Sequence, residues 1–503
     1  MSFAYPKRGR RFSIPWLQAV FFMSVLASCA TGPSTTALPT LTVKGPAAGP
    51  LRVHEANPRY FTDGTGKAVY LTGAHTWGNF QDHGRTNPPP PFDYPAYLDF
   101  MRQHNTNFMR LWVLEQSKWQ PDGEETYYFP LLYERAGPDK ALDGGLKFDV
   151  TRWNQTYFDR LRNRVEQAGQ RGIYVAIMLF QGWSIEQKES FQAKWHPWLG
   201  HPFHRANNIN GIDGDLNGDG QGSEVHLLLN RAITELQEAY VRKVIDAVND
   251  LDNVLYEIAN ESTHGSGGWQ THMIDYIHAY EARKPKQHPV WLTAGWDYNI
   301  LNDLLHSPAE AIAPGLPAPG APFAPYRDDP PANDGRKVII SDTDHLWGVG
   351  GDRVWVWKSF LRGLNPIYMD PYDEEGEEAD RVRDTREDTI RSLGHTLAFA
   401  DRMDLASMTP DTQACSSGYC LVNPGKEYLV YVPPDTANQP NRTATVDLSG
   451  STKSLQVEWF NPATGKTVRG GTVAGGDRKT FTIPFEGDAV LYLISLEAQG
   501  STS

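Results

Sequence analysis

Two acidic clusters that follow apolar runs could together carry out proton-transfer and nucleophilic chemistry. Glu261 follows the run 254–260, and Asp342 and Asp344 follow the run 338–341. If the runs are parallel strands of one barrel, their carboxyl ends bring these acids to the same mouth. Carboxylates about 5 Å apart can cleave a glycosidic bond with retention, and a wider gap suits inversion. We therefore predict Glu261, Asp342 and Asp344 as catalytic, with Asp342 the better match to the strand end.

Other polar and aromatic side chains fall at predicted strand ends and could line a substrate pocket. Each could equally pack at the rim of a barrel, because aromatic and polar rings serve both purposes. These candidates are His75, Trp77, Trp112, Gln181, Trp183, His345, Tyr368 and Asp370.

The run 213–224 has the spacing of a twelve-residue calcium loop, with oxygen-bearing side chains at alternate positions, Gly218 at position 6 and an acid at position 12. Gly220 stands where an apolar residue is usual, and the preceding segment does not read as a helix. We therefore predict a structural Ca²⁺ loop outside a paired EF-hand, the alternative being a metal-free surface loop. Its candidate ligands are Asp213, Asp215, Asn217, Asp219 and Glu224.

The elements that must position these residues alternate between apolar strands and amphipathic helices. We predict strands at 69–73, 108–113, 173–179, 254–260, 290–294, 338–341 and 366–369, with a weaker one near 304–313. Helices are predicted at 94–104, 152–171, 224–250, 269–283, 352–362 and 380–400. Eight such units predict an α/β fold, a (β/α)₈ TIM barrel over residues 51–405. The rival is a doubly wound sheet, but no Gly-rich nucleotide turn follows the first strand, and no organic cofactor is expected.

The helical pattern stops near residue 405. Short strands separated by turns follow, at 428–432, 444–448, 455–460, 480–483 and 489–493. They predict a small antiparallel β-sandwich over residues 406–498. Cys415 and Cys420 are expected to form a disulfide that staples a hairpin in an exported protein.

The pair Asn260-Glu261 after an apolar strand resembles the acid/base motif of clan-A glycoside hydrolases. Those are (β/α)₈ retaining enzymes with acids after strands four and seven, and the resemblance places Arg110 near the nucleophile and Asn260 beside the substrate. Residues 70–77, at the predicted first barrel strand, and the predicted C-terminal sandwich resemble bacterial proteins that join such a barrel to a domain named for collagen binding. The likeness covers most of residues 51–495. It departs at strand seven, where the clan usually has Glu and this chain has Asp342 and Asp344.

The N-terminus resembles a bacterial lipoprotein signal. A basic start precedes an apolar stretch, 14–26, and then Cys29. We expect a signal peptide at 1–28, lipidation of Cys29 and a flexible tether at 29–50, the alternative being an ordinary secretory signal. The protein would be exported and held at the outer membrane by its lipid alone.

Composition narrows the function further. The 503 residues carry a net charge of −13, which disfavours a nucleic-acid partner and leaves the oligomeric state open. The leading interpretation is a glycoside hydrolase acting on an extracellular poly- or oligosaccharide. The alternative is a non-catalytic glycan- or matrix-binding surface lipoprotein. A metallohydrolase is a third option, but the histidines lack ligand spacing. The sugar, its linkage and endo or exo attack stay open.

Overall fold

The structure is a computed structural model that describes residues 35–37, 45–120, 123–188, 194–295, 301–317, 323–372, 374, 376–434 and 442–496. The predicted signal peptide and Cys29 lie outside the described residues. Within the described ranges, no helix is both long and apolar enough to span a bilayer.

Eight parallel strands close into a barrel, and they follow one another around it in chain order. With all strands numbered along the chain, they are β4 (Gly73–His75), β6 (Phe108–Leu111), β11 (Tyr174–Gln181), β12 (Val254–Asn260), β13 (Val290–Thr293), β14 (Ala311–Ala313), β15 (Val338–Asp342) and β16 (Asn365–Met369). Every residue of these strands is buried, as expected for a parallel sheet covered by helices. The predicted (β/α)₈ barrel is confirmed, and β12 and β15 are its fourth and seventh strands.

The helices surround the barrel through amphipathic faces. They are α1 (Tyr94–Gln103), α2 (Gln155–Gln170), α3 (Gly182–Ile185), α4 (Arg231–Val248), α5 (Gly267–Glu281), α6 (Leu301–His306), α7 (Pro325–Asp328), α8 (Arg353–Leu361), α9 (Glu377–Val382) and α10 (Arg386–Arg402). α4 starts later than predicted, because Asn230 caps it by accepting from the backbone N–H groups of Ala232 and Ile233.

The first barrel strand was predicted too early in the chain. Val69 to Thr72 are apolar enough to form a strand, but the Leu71 N–H donates to the Asn365 side chain and the Thr72 N–H to the Asn107 side chain. Backbone pairing with the neighbouring barrel strands therefore starts at Gly73.

Short antiparallel elements in the loops after β4 and β6 extend the carboxyl end of the barrel. They form a three-stranded sheet and a two-stranded hairpin. The strands are β5 (Asp82–Gly84), β7 (Lys118–Trp119), β8 (Thr126–Phe129), β9 (Tyr133–Lys140) and β10 (Leu146–Trp153), while β2 (Arg52–Val53) and β3 (Phe61–Thr62) pair ahead of the barrel.

After α10 the chain forms antiparallel sheets of seven and two strands that share one core. One strand of the seven-stranded sheet, β1 (Thr35–Ala37), comes from ahead of the barrel in the chain. The other strands are β17 (Thr409–Pro410), β18 (Cys420–Asn423), β19 (Glu427–Val432), β20 (Thr443–Asp447), β21 (Ser454–Asn461), β22 (Lys466–Ala474), β23 (Arg478–Thr482) and β24 (Ala489–Ser495). Cys415 and Cys420 form a disulfide that closes the turn between β17 and β18. Two parts of the predicted tether contact the body: β1 pairs with β22, and the Ala48 carbonyl accepts from the Tyr174 hydroxyl.

An aromatic seam, defined here as Trp357, Phe399, Tyr431 and Phe460, joins the barrel helices to the C-terminal sheet. The Trp357 ring stacks 6.0 Å from Tyr431, and Phe460 lies 5.8 Å from Trp357 and 5.3 Å from Phe399. All four side chains are fully buried. The last part of the barrel and the sheet therefore share one core.

Candidate active site

A cleft of about 1790 Å³ opens at the carboxyl ends of the barrel strands. That volume exceeds the several hundred Å³ typical of a small-molecule pocket. Seven of the side chains singled out from the sequence line it: Trp77, Trp112, Gln181, Trp183, Glu261, Asp344 and His345.

Glu261 follows the last residue of β12 and points into the cleft. Its backbone has φ of +41°, a left-handed conformation that non-glycine residues adopt rarely. Its carboxylate accepts a hydrogen bond from the Trp183 indole N–H. Burial and then the nearby charge of Asp344 raise the pKa of Glu261 to about 8, although Lys188, the Trp183 hydrogen bond and Arg110 oppose that rise.

The two aspartates at the carboxyl end of β15 have different surroundings. β15 ends at Asp342, and a 3₁₀ turn over Thr343–His345 then carries Asp344 to the cleft wall. Asp342 is fully buried behind it, where its Oδ1 lies 3.0 Å from His75 Nε2 and accepts from the Asp344 N–H at 3.0 Å. Burial would raise the pKa of Asp342, but His75 and Arg110 together hold it well below its usual range.

Glu261 and Asp344 approach each other from opposite sides of the barrel mouth. One oxygen of each carboxylate and one ring nitrogen of His345 all lie within 4.8 Å of one another. His345 is buried, and among the described residues its Nε2 has no hydrogen-bond partner. Burial lowers the pKa of His345, so its ring is neutral near neutral pH and can hydrogen-bond a ligand.

Arg110 on β6 supplies the positive charge beneath these acids. Its guanidinium donates to both oxygens of Glu257, to Asp344 Oδ2 at 2.7 Å, to Asp342 Oδ2 at 3.3 Å and to Asn260 Oδ1 at 2.7 Å. Burial alone would lower the pKa of Arg110, but the carboxylates, Glu257 foremost, raise it overall. The group stays charged, and it already compensates Asp344, which disfavours a metal ion beside that carboxylate.

Two neighbouring pairs fix the orientation of this network. The Trp112 indole N–H donates to His75 Nδ1 at 2.7 Å, so in the neutral ring Nε2 carries the proton and donates to Asp342. Asn260 donates to Gln181 Oε1 at 3.0 Å, and the Trp183 N–H donates to the same oxygen at 3.2 Å. These hydrogen bonds therefore fix the orientation of the side chains in the absence of a substrate.

Six of the predicted site residues lie outside the cleft lining. Four belong to the supporting network just described: His75, Arg110, Asn260 and Asp342. Tyr368 is buried in the core, and Asp370 is buried in a bidentate ion pair with Arg386. Neither Tyr368 nor Asp370 contacts the acid pair in the described part of the structure.

The cleft also contains residues that sequence analysis did not select. Trp119 lies 5.7 Å from Trp183, and Trp347 also lines the cleft, three residues after Asp344. Lys188 lies beside Glu261. Trp347 follows Asp344 by three residues, and this position close to the second acidic cluster could have identified it. Lys188 has no local signal, because its loop contains several other charged residues.

The loop predicted to bind calcium borders the cleft through Gln221, whose Oε1 accepts from the Gln187 N–H at 2.7 Å. Asp215 accepts hydrogen bonds from three loop N–H groups, those of Gly218, Asp219 and Gly220.

The candidate calcium ligands are not gathered around one point in the described structure. Glu224 is buried, and its Oε2 has no hydrogen-bond partner among the described residues. Of the described His, Cys, Asp and Glu side chains, only Glu261, Asp344 and His345 form a group of three within 4.8 Å, so an ion would have to draw the loop carboxylates together. Calcium stays a prediction.

Comparisons with known proteins bear on the fold. The family model that matches residues 102–311 is described as a domain of unknown function, DUF6298. No curated protein matches the chain. A solved structure named as a glycoside hydrolase is 13% identical, with a TM-score of 0.53 over 90% of this chain and 99% of its own. A glycoside hydrolase of family 5 from Bacteroides vulgatus ATCC 8482 is also 13% identical, with a TM-score of 0.55 over 90% and 95%. The chain therefore has the (β/α)₈ fold of these glycoside hydrolases, with antiparallel sheets following the barrel.

Proposed function

We propose that the protein is a retaining glycoside hydrolase that cleaves O-glycosidic bonds of an extracellular poly- or oligosaccharide. The observation that carries the proposal is the pair Glu261 and Asp344, whose carboxylate oxygens come within 4.8 Å across the cleft. An oxygen-to-oxygen distance of no more than 4.8 Å supports the spacing of roughly 5 Å found in enzymes that form a covalent glycosyl intermediate, rather than the roughly 6.5–9.5 Å of inverting enzymes. The aromatic side chains around the pair suit stacking against sugar rings.

Glu261 is assigned as the general acid and base. A carboxyl with a pKa of about 8 is protonated at neutral pH and can donate that proton to the departing oxygen. Once the glycosyl unit is attached to the enzyme, the negative charge of Asp344 is lost. The pKa of Glu261 then falls, and the same carboxylate can activate water for the second step.

Asp344 is assigned as the nucleophile, in place of Asp342. Asp344 lies on the cleft wall, and the Arg110 guanidinium donates to its Oδ2 at 2.7 Å. Asp342 is buried behind it and holds His75 and Arg110. Asp342 thus positions the arginine that faces the nucleophile, although its own carboxylate does not reach the cleft.

The first prediction separates these roles by mutation. After aryl glycosides and polysaccharides have been screened for activity, Glu261→Ala should lose about 10²- to 10⁴-fold on poor leaving groups. It should largely spare a dinitrophenyl glycoside, and added azide should give a glycosyl azide of retained configuration. Asp344→Ala should abolish turnover of every substrate, because no covalent intermediate forms.

Asp342→Asn serves as the matched comparison, and it should reduce activity less than Asp344→Asn. If Asp342→Asn is the lethal change, the two aspartates exchange roles. If Glu261→Ala keeps full activity on the natural substrate, the catalytic proposal fails. A protein that binds glycans in a pull-down and hydrolyses none would instead be the non-catalytic surface lipoprotein.

A further inference from the structure

The loop after β11 holds the backbone of Glu261 as well as its side chain. Gly182 lies so close that a Cβ there would fall 1.9 Å from the Glu261 carbonyl oxygen. Trp183 donates to the carboxylate, and Lys188 Nζ donates to the Glu261 carbonyl oxygen at 3.1 Å. Three residues of one loop therefore contact the residue with the left-handed backbone.

Lys188 is itself held in place on several sides. Its side chain is 1% exposed, and its ammonium forms an ion pair with Glu186. The other oxygen of Glu186 accepts from Ser223 at 2.7 Å and from Thr263 at 3.0 Å. Thr263 comes two residues after Glu261, so the ion pair ties the loop after β11 to the loop after β12. Burying an ammonium group costs desolvation energy. The presence of a buried lysine at this position therefore suggests that its contacts serve a function.

We propose that Lys188 is a positioning residue for the general acid: it fixes the left-handed backbone of Glu261 through the carbonyl and thereby aims the carboxyl at the glycosidic oxygen. The inference rests on the proposed function and deepens it. The left-handed conformation is unfavourable for glutamate, and it persists only where contacts enforce it. Among the described contacts, Lys188 supplies the charged group that donates a hydrogen bond to the Glu261 carbonyl oxygen.

The same ammonium affects the ionisation of the acid. The charged and titratable groups facing the Glu261 carboxyl are Asp344 and His345 across the cleft, Arg110 below and Lys188 from the loop after β11. Burial and Asp344 raise the pKa of Glu261, and Lys188 opposes them. Removal of the ammonium should therefore raise that pKa further and extend the alkaline limb of kcat/KM to higher pH.

The test compares Lys188→Met with Lys188→Arg, which keeps a charged donor. Lys188→Met should lower kcat/KM about 10- to 100-fold on a phenyl glycoside and much less on the dinitrophenyl glycoside of the same sugar, because only the poor leaving group needs a well-aimed acid. Lys188→Arg should recover part of that loss. Lys337→Met is the control, because Lys337 also donates to backbone carbonyls but immediately precedes β15, at the other end of the barrel. It should leave the leaving-group dependence and the pH profile unchanged.

A second measurement does not depend on turnover. The carboxyl of Glu261 can be titrated by ¹³C NMR in glutamate-labelled protein, with its resonance assigned by its loss in Glu261→Gln. Lys188→Met should titrate at higher pH than the wild type. An unchanged titration, or an equal loss of rate on both leaving groups, would overturn the proposal for Lys188. If the wild type hydrolyses no glycoside, the proposed function fails, and the titration still decides whether Lys188 acts on Glu261.

Discussion

Glu261 concentrates several unfavourable features in one residue. Its left-handed backbone costs about 1–3 kcal/mol, and its carboxyl is buried opposite Asp344. Such costs are common where function requires a group to be held ready, and they are offset by favourable packing elsewhere. The elevated pKa of this acid has a consequence for stability as well as for catalysis.

The second prediction concerns the pH dependence of unfolding. The pKa of Glu261 is about 8 in the folded protein and about 4.5 when unfolded, so the folded state binds more protons between these values. The contribution of this residue to stability is therefore greatest below about pH 4.5 and is lost as the pH rises toward 8. Glu261→Gln should unfold at higher urea concentration than the wild type at pH 8, and this difference should shrink toward pH 5.

Glu235→Gln is the control for that measurement, because Glu235 is exposed and pairs with Arg231 one helical turn away. The difference in unfolding urea concentration between Glu235→Gln and the wild type should be no larger at pH 8 than at pH 5. A Glu261→Gln protein whose advantage is the same at both pH values would show that the raised pKa does not affect stability.

The acids illustrate how far sequence can locate a site. Strand alternation placed Glu261 at the mouth of strand four, and it put Asp342 and Asp344 on one face. Alternation cannot detect the 3₁₀ turn over Thr343–His345, because that turn is stabilised by the Asp342 side chain accepting the Asp344 N–H. The choice between the two aspartates therefore depends on a local cap that follows the end of the strand.

At the scale of elements, the barrel was predictable because most positions in its parallel strands are apolar. Strand β14 gave a weak signal because it has only three residues, Ala311–Ala313. The β-hairpin formed by β9 and β10 was not predicted, and residues such as Gly137 and Pro138 within β9 conceal the pattern. Lys188 and Gly182 were missed because their importance depends on contacts with Glu261, 73 residues after Lys188.

The third prediction concerns the loop over residues 213–224. If it binds Ca²⁺ when folded, chelation with EDTA should lower the melting temperature, since an ion bound only to the native state stabilises it. Asp213→Ala should melt at the same temperature with and without EDTA. Elemental analysis of protein purified without chelator should find calcium in the wild type and not in the variant. Identical melting of the wild type in EDTA and in excess Ca²⁺ would contradict the assignment.

At the scale of the whole molecule, the aromatic seam couples the barrel to the C-terminal sheet. Arg353 of α8 reinforces it with a bidentate ion pair to Asp488, and Tyr431 donates to the same carboxylate at 3.0 Å. The two parts are therefore expected to unfold together.

The fourth prediction follows from this coupling. Phe460→Ala should lower the free energy of unfolding by about 3–5 kcal/mol, because it leaves a cavity beneath Trp357 and Phe399. Hydrogen exchange should show reduced protection in α8 and α10 as well as in β21. Phe481→Ala changes a half-buried side chain of β23 that packs against the core of the sheets away from the seam, and it should reduce protection near the substitution and leave the barrel helices unchanged.

The fifth prediction concerns the anchor. Cys29→Ser should release the protein from the membrane fraction or block its maturation, since the thiol is the expected site of lipid attachment. Fractionation of cells and the mass of the mature chain check this. An unchanged distribution together with an unchanged mass would mean that the segment is an ordinary secretory signal with an incidental cysteine.

The aromatic seam also limits how this protein can be recombined with its relatives. A cut between α10 and β17 falls in a short connection, but the two pieces on either side share the rings of Trp357 and Phe460. A barrel grafted onto a foreign sheet would therefore expose a large apolar surface unless its new partner carried matching rings. Successful chimaeras should exchange α8, α10 and the sheet as one block, so the unit of modular exchange is larger than the C-terminal sheet.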